Sequence, residues 1–192
     1  MQLVANWAIV RGEPWQERLA SWLRPTGCDA LVLERERLSV YEYVEMWLAD
    51  AGLSGSAGHA ERYREWLDYF EALGIEEVGM GWLSVAALGH DDPTLRFEEW
   101  PHAVHQPVGA ALAAWNASVG LLAEPDEVML ATRWTGDPRV VQETKGRPGA
   151  EDPEHIVLRQ SFGLGRATAV DTMTAAVVGA CDGDLPLGLI VD

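Results

Sequence analysis

Lysine is nearly missing from this chain. Lys145 is the only one, and arginine supplies the other cations, 14 basic residues in all against 30 acidic ones. The net charge of −16 over 192 residues contains no basic cluster. Nucleic-acid affinity rests mainly on Lys and Arg neutralising phosphates, so direct DNA binding is not expected. Cysteine is scarce too. Cys28 and Cys181 lie far apart in sequence, which excludes a disulfide framework and reads as free thiols in a reducing cytoplasm. No apolar run approaches the ~20 residues that span a bilayer, and no membrane partner is expected. The start, Met1 to Val4, lacks the basic n-region of a signal peptide.

Several chemical signatures are missing as well. There is no P-loop, no G-x-S-x-G elbow and no H-E-x-x-H pair. Gly163-Leu164-Gly165 imitates the opening of a dinucleotide loop, but Thr168 stands where the next glycine belongs, so a turn is expected. His102 and His105 have the spacing of a ligand pair but no third His or Cys nearby, so no metal is expected. Cys28 has no recognisable His partner.

What is present is an ordinary globular texture, 48% hydrophobic and 23% charged. Leu3 to Val10 is an apolar run of strand length, of the kind buried on both faces of a sheet. Pro14 opens a helix with Trp15, Leu19, Trp22 and Leu23 on one face, and Asp29 to Glu34 forms a second buried strand. Strand, helix and strand make a βαβ unit. Ser39 and Glu42 form a capping box for a helix carrying Tyr43, Val44, Trp47 and Leu48. A further helix bears Tyr63, Trp66, Leu67 and Phe70. From Ile75 to Leu88 the period becomes two, a long strand in which Gly79 and Gly81 mark a bulge or a close backbone approach.

Gly89 to Pro93 is turn-forming and polar, the best boundary between residues 1–89 and 90–192. Beyond it the pattern is α+β. A strand is expected over Thr94 to Trp100, and a helix over Val108 to Leu122 with Leu112, Trp115, Val119 and Leu122 inward. A short helix follows Asp126. Two strands, Arg139 to Thr144 and His155 to Ser161, flank the loop Gly146 to Pro153. Asp171 caps a helix running to about Cys181, and a last helix follows Pro186. Residues 171–192 have the outline of a helix-turn-helix, but the segment 163–192 carries only Arg166 against Asp171, Asp182, Asp184 and Asp192. Leu185 to Val191 offers no side chain that reads bases, so a packing use is expected. Both ends look cut, and a fragment of a longer protein is the expectation.

Ligands of open parallel sheets bind outside the carboxyl ends of the strands. That makes Asn6 and Trp7, near the end of the first strand, candidates for a cleft; a core role for Trp7 stands equally open.

Several stretches carry a family resemblance: LVANWAIVRGEPWQERLASWLRPTGCDALVLERE, YEYVEMWLADAG, YREWLDYFEALGIEEVGMGWLSVA, VVQETKGRPGAEDPEHIVLRQ and VVGACDGDLPLG. They resemble the C-terminal half of a class I S-adenosylmethionine-dependent methyltransferase of high-GC bacteria. The group is related to small methyltransferases with an Asn-Pro-Pro-aromatic motif. The resemblance implies an α/β fold, the C-terminal part of a Rossmann-like methyltransferase sheet, followed by an α+β extension with a winged-helix-like end. Leu3 to Val10 would be the fifth strand, Asp29 to Glu34 the sixth and Ile75 to Leu88 the antiparallel seventh, with the two intervening helices inserted.

The family's glycine-rich cofactor loop and its Asn-Pro-Pro-aromatic motif are both absent. No catalytic or cofactor-binding residue is therefore carried over, and S-adenosylmethionine would be bound mainly by a missing N-terminal half. The resemblance implies methylation of a nitrogen on a protein, RNA or small molecule. Asn6 and Trp7 at the strand end and Tyr43, Trp47 and Trp66 on the aromatic helix faces are the substrate-side candidates, with a core role for the aromatics equally open. The rival expectation is a non-catalytic acidic module that binds a protein through its tryptophans.

Overall fold

The computed structural model describes residues 1–149 and 153–192, with the backbone alone at 122 and 123. It is mixed α/β, with a four-stranded and a three-stranded sheet. The chain divides into Met1–Pro101 and His102–Asp192.

The first unit runs β1 (Gln2–Val10), α1 (Trp15–Leu23), β2 (Asp29–Ser39), α2 (Val40–Asp50), α3 (His59–Ala72), β3 (Ile75–Ala86) and β4 (Leu95–Glu99). Its sheet has the order β1-β3-β2-β4. β3 is antiparallel to both β1 and β2, and β4 is parallel to β2. β1 and β2 therefore run parallel, as the βαβ reading requires, but β3 lies between them. The expected boundary at Gly89 shifts. The Ala30 N–H donates to the Thr94 carbonyl at 2.9 Å, β4 joins the first sheet, and that unit continues to Pro101.

Apolar spacing explains the layers. Trp15, Leu19 and Leu23 of α1 are buried on one sheet face against Trp7, Ala30, Val32 and Val85. Val44 and Leu48 of α2 pack with Phe70 of α3 and half-buried Ile75. The capping box holds the start of α2: the Glu42 N–H donates to Ser39 Oγ at 3.3 Å, and the Ser39 N–H to Glu42 Oε2 at 3.0 Å. β2 extends past Glu34 because an irregularity between Glu34 and Glu36 lets the ladder resume against β3. In β3 the two glycines serve close approach. A Cβ on Gly81 would collide with the Leu33 carbonyl, and one on Gly79 with Nε1 of Trp7.

The second unit contains α4 (Gly109–Val119), α5 (Asp126–Ala131), β5 (Val140–Lys145), β6 (His155–Gln160), β7 (Ala167–Val170), α6 (Thr172–Ala180) and α7 (Leu187–Val191). β5, β6 and β7 form an antiparallel sheet in that order. The expected helix over Val108 to Leu122 is shorter, giving way to a 3-10 turn at Gly120–Ala123. Leu112 and Val119 are buried and Trp115 is half-buried; the Leu122 side chain lies outside the described residues, as do residues 150–152 of the Gly146 to Pro153 loop.

β7 was not expected, since Ala167-Thr168-Ala169-Val170 is short and shows no clear apolar alternation. Gly163 and Gly165, with φ of 56° and 65°, make the turn before it. The Asp171 side chain accepts the Thr174 N–H at 2.7 Å and caps α6. Among the described residues no helix is long and apolar enough to cross a membrane.

Candidate functional site

Alternation along β1 sends Asn6 and Ala8 to one face of the sheet and Trp7 to the other. Ser39 and Glu42 start α2 at a fixed residue, which sets Tyr43 in its first turn. α3 then brings Trp66 and Phe70 alongside. Together Asn6, Ala8, Tyr43, Trp66, Phe70 and Val78 line an open cleft of about 260 Å³.

Its walls are aromatic. Tyr43 meets Phe70 with ring centroids 6.2 Å apart, and Trp66 meets Phe70 at 6.0 Å, both nearly edge to face. Asn6 Nδ2 donates to the Tyr43 hydroxyl oxygen over 3.4 Å. That leaves the Tyr43 hydroxyl hydrogen and Asn6 Oδ1 as one donor and one acceptor at the rim. Such a cleft holds a flat or apolar group and orients it by one polar edge.

The structure thus brings Asn6, Tyr43 and Trp66 to one place. Trp47 stands behind them, edge-on to Tyr43 with centroids 6.2 Å apart. Trp7 touches the cleft wall, but its ring belongs to the core. It is 3% exposed and stacks on Trp15 with centroids 5.4 Å apart.

A second polar cluster escaped sequence reasoning. The Glu34 side chain, 4% exposed, is gripped by Arg37 through Nη2 at 2.6 Å and Nε at 3.3 Å. Arg37 also reaches Glu99 at 3.3 Å and Glu77 at 3.6 Å. The hydrogen bond to Glu34 is the main cause of an Arg37 pKa raised above its ordinary value. The available signal was the run Glu34-Arg35-Glu36-Arg37 inside a strand-like segment. A charge alternation at the end of a buried run marks either the strand's end or a buried ion pair, and here it is the ion pair. Nε1 of Trp7, beside Glu34, is buried without a hydrogen-bond partner.

At the opposite end of β2, Asp29 is wholly buried. His90 Nδ1 lies 3.0 Å from both its oxygens, and the Thr94 N–H donates to Oδ1 at 2.8 Å. Burial pushes the Asp29 pKa up, but the His90 and Thr94 hydrogen bonds outweigh it and hold the carboxyl below its ordinary value. A carboxylate that orients a histidine is half of a nucleophile-activating arrangement. Cys28 does not complete it, because its side chain packs on the α1 side of the sheet. Among the described residues no three His, Cys, Asp or Glu stand together as a metal-binding group.

Comparison of the sequence with protein-family models and with curated proteins finds no match.

Proposed function

We propose that this chain is the C-terminal, sheet-completing portion of a cytoplasmic S-adenosylmethionine-dependent methyltransferase and that it shapes the substrate side. The observation that carries the reading is strand direction. β3 runs antiparallel to β1 and β2, as the resemblance implies for a seventh strand beside a fifth and a sixth. α2 and α3 form the insertion between the sixth and seventh, and their aromatic faces wall the cleft at Asn6. A nitrogen-bearing planar group of a protein, RNA or small molecule fits between such walls, with its polar edge toward Asn6 and Tyr43.

The described residues do not themselves fit the cofactor. No glycine-rich loop leads from a strand into a helix N-terminus beside the cleft, so nothing cradles the methionine moiety, and no step is derived through it. The cofactor-binding elements belong, on this reading, to another segment. The second unit, with its antiparallel sheet followed by α6 and α7, would be the winged-helix-like extension. α7 is five residues long and carries no base-reading side chain.

The alternative, an acidic protein-interaction module, is favoured by one observation: Trp22, Trp47 and Trp66 are all exposed. The coding DNA on the 5′ side of the Met1 codon separates the two. A continuous frame encoding a glycine-rich loop and Asn-Pro-Pro-aromatic, whose joined product crosslinks to radiolabelled S-adenosylmethionine, supports the enzyme. A joined product that fails to crosslink sinks it.

A further inference from the structure

The sheet face that carries Asn6 continues past the aromatic walls of the cleft. Met80 of β3 stands opposite Asn6, and Glu36 of β2 stands opposite Met80. Directly opposed residues share a face, so the three form one row across three strands, about 10 Å from Asn6 to Glu36 at the main chain. Glu36 is exposed, and among the described residues no ion pair engages it.

Charge close to the cleft points the same way. Among the described residues no charged side chain lines the aromatic cleft itself. α2 carries three carboxylates and neither Lys nor Arg. α3 carries four carboxylates against Arg62 and Arg64. Both cations are held along their own helix, Arg62 by Glu65 at 2.8 Å and Arg64 by the Ala60 carbonyl at 3.0 Å. Two residues along β3 from Met80, the same face already seats a guanidinium. Arg35 lies over the Trp82 ring, 5.6 Å from its centroid, and its Nη1 donates to the Trp100 carbonyl at 2.7 Å.

We infer that the group received by the Asn6–Tyr43–Trp66 cleft is a guanidinium, borne by an arginine side chain or a small guanidino compound. The inference rests on the substrate-side reading of the cleft and concerns binding alone. A guanidinium is flat, stacks on aromatic rings and is more weakly hydrated than an ammonium, and ring faces attract its charge. It has N–H donors and no acceptor. The cleft offers acceptors: Asn6 Oδ1, and the second lone pair of the Tyr43 hydroxyl, whose first meets Asn6 Nδ2. Glu36, along the row, supplies the counter-charge. A nucleobase would leave Glu36 unused and would bring phosphates toward the carboxylates of α2 and α3.

The test measures binding by the 192-residue chain with no cofactor present. Calorimetric titration with N-acetyl-arginine-amide should show saturable binding, about tenfold tighter than N-acetyl-citrulline-amide, its neutral isostere. N-acetyl-lysine-amide should bind more weakly than the arginine probe. Glu36→Gln should narrow the arginine–citrulline gap about threefold, and Trp66→Ala should weaken the arginine probe by a similar factor. Circular dichroism checks that both variants fold. A glycine-flanked arginine peptide that binds more tightly than butylguanidine assigns the group to a polypeptide, and the reverse order to a small molecule; both uphold the guanidinium. No binding at millimolar probe, equal affinity for arginine and citrulline, tighter binding of lysine, or a gap unmoved by both variants overturns the proposal. A joined product that keeps the arginine preference but fails to crosslink S-adenosylmethionine sinks methyl transfer and leaves the guanidinium site standing.

Discussion

The indole of Trp7 fills the space in which a side chain at Gly79 would stand. A Cβ there would collide with Nε1 of Trp7 and come within 2.6 Å of Glu34 Oε1. The glycine, the tryptophan and the buried carboxylate are one packing unit spread over three neighbouring strands. It could not exist with any other residue at that rung.

Gly79→Ala should therefore destabilise the first unit by about 1–3 kcal/mol, the usual cost of overpacking a filled site. Gly81→Ala should cost at least as much, because its obstacle is the Leu33 carbonyl, a backbone group that cannot rotate away. Urea unfolding followed by tryptophan fluorescence measures both. A midpoint unchanged in either variant would contradict the close approach.

Arg37→Ala should be more damaging than its half-exposed position suggests, because it leaves Glu34 buried and without its counter-charge. Breaking a buried ion pair from one side costs about 3–5 kcal/mol. The partial solvent access of Arg37 places this case toward the lower end. Replacing both partners, Glu34→Gln with Arg37→Met, should recover much of the loss, since no buried unpaired charge then remains and Glu77 and Glu99, which also lose Arg37, are solvent-exposed. Equal stability of the single and double variants would refute this.

Asp29 gives the first unit an acid limit. Its folded-state pKa lies below the ordinary 3.8, so across that window the unfolded chain binds more protons than the folded one. The stabilisation is complete above pH 3.8 and is lost as pH falls through the folded value. Asp29→Asn should be clearly less stable than wild type at pH about 6, with the gap narrowing toward pH about 3. Paired urea titrations at the two pH values check this; a gap that widens on acidification would reverse the sign.

Much of the first unit is legible in sequence because local chemistry and burial agree there. The Ser39–Glu42 box and the period-two pattern of β3 each specify one structure. The α1 stripe does so at Trp15, Leu19 and Leu23, but Trp22 of the same stripe is exposed. β1, expected to be buried on both faces, buries only Trp7 because it lies at the sheet's edge. Glu34 to Arg37 was harder. Four alternating charges look like the end of a strand, and only the partner strand shows that the ladder resumes beyond an irregularity. β7 is four small residues, one of them polar, whose strand character comes from pairing with β6, a long-range fact invisible in any window. The cleft was half legible. Its aromatic residues lie on predicted helix faces, but exposed and buried tryptophans share one pattern. Trp7 could be assigned to the core only once Gly79, Gly81 and Trp15 were seen around it.

The methyl-transfer reading makes a prediction about cofactor affinity. In methyltransferases of the group this chain resembles, the methionine moiety lies against a glycine-rich loop, and the ribose hydroxyls meet an acidic residue ending the second strand. Neither element is present in these 192 residues. Each missing hydrogen bond is worth about 0.5–3 kcal/mol net, and about 1.4 kcal/mol is tenfold in affinity. Several together remove several powers of ten. Calorimetric titration of the chain with S-adenosylmethionine should show no heat of binding up to millimolar ligand, whereas a polypeptide joining it to the glycine-loop segment should bind. In that joined protein Tyr43→Ala should raise the KM for the methyl acceptor more than it alters cofactor affinity, because Tyr43 lines the cleft. Tight binding by the 192-residue chain alone would place a cofactor site among its own residues and overturn the division of labour proposed for the two segments.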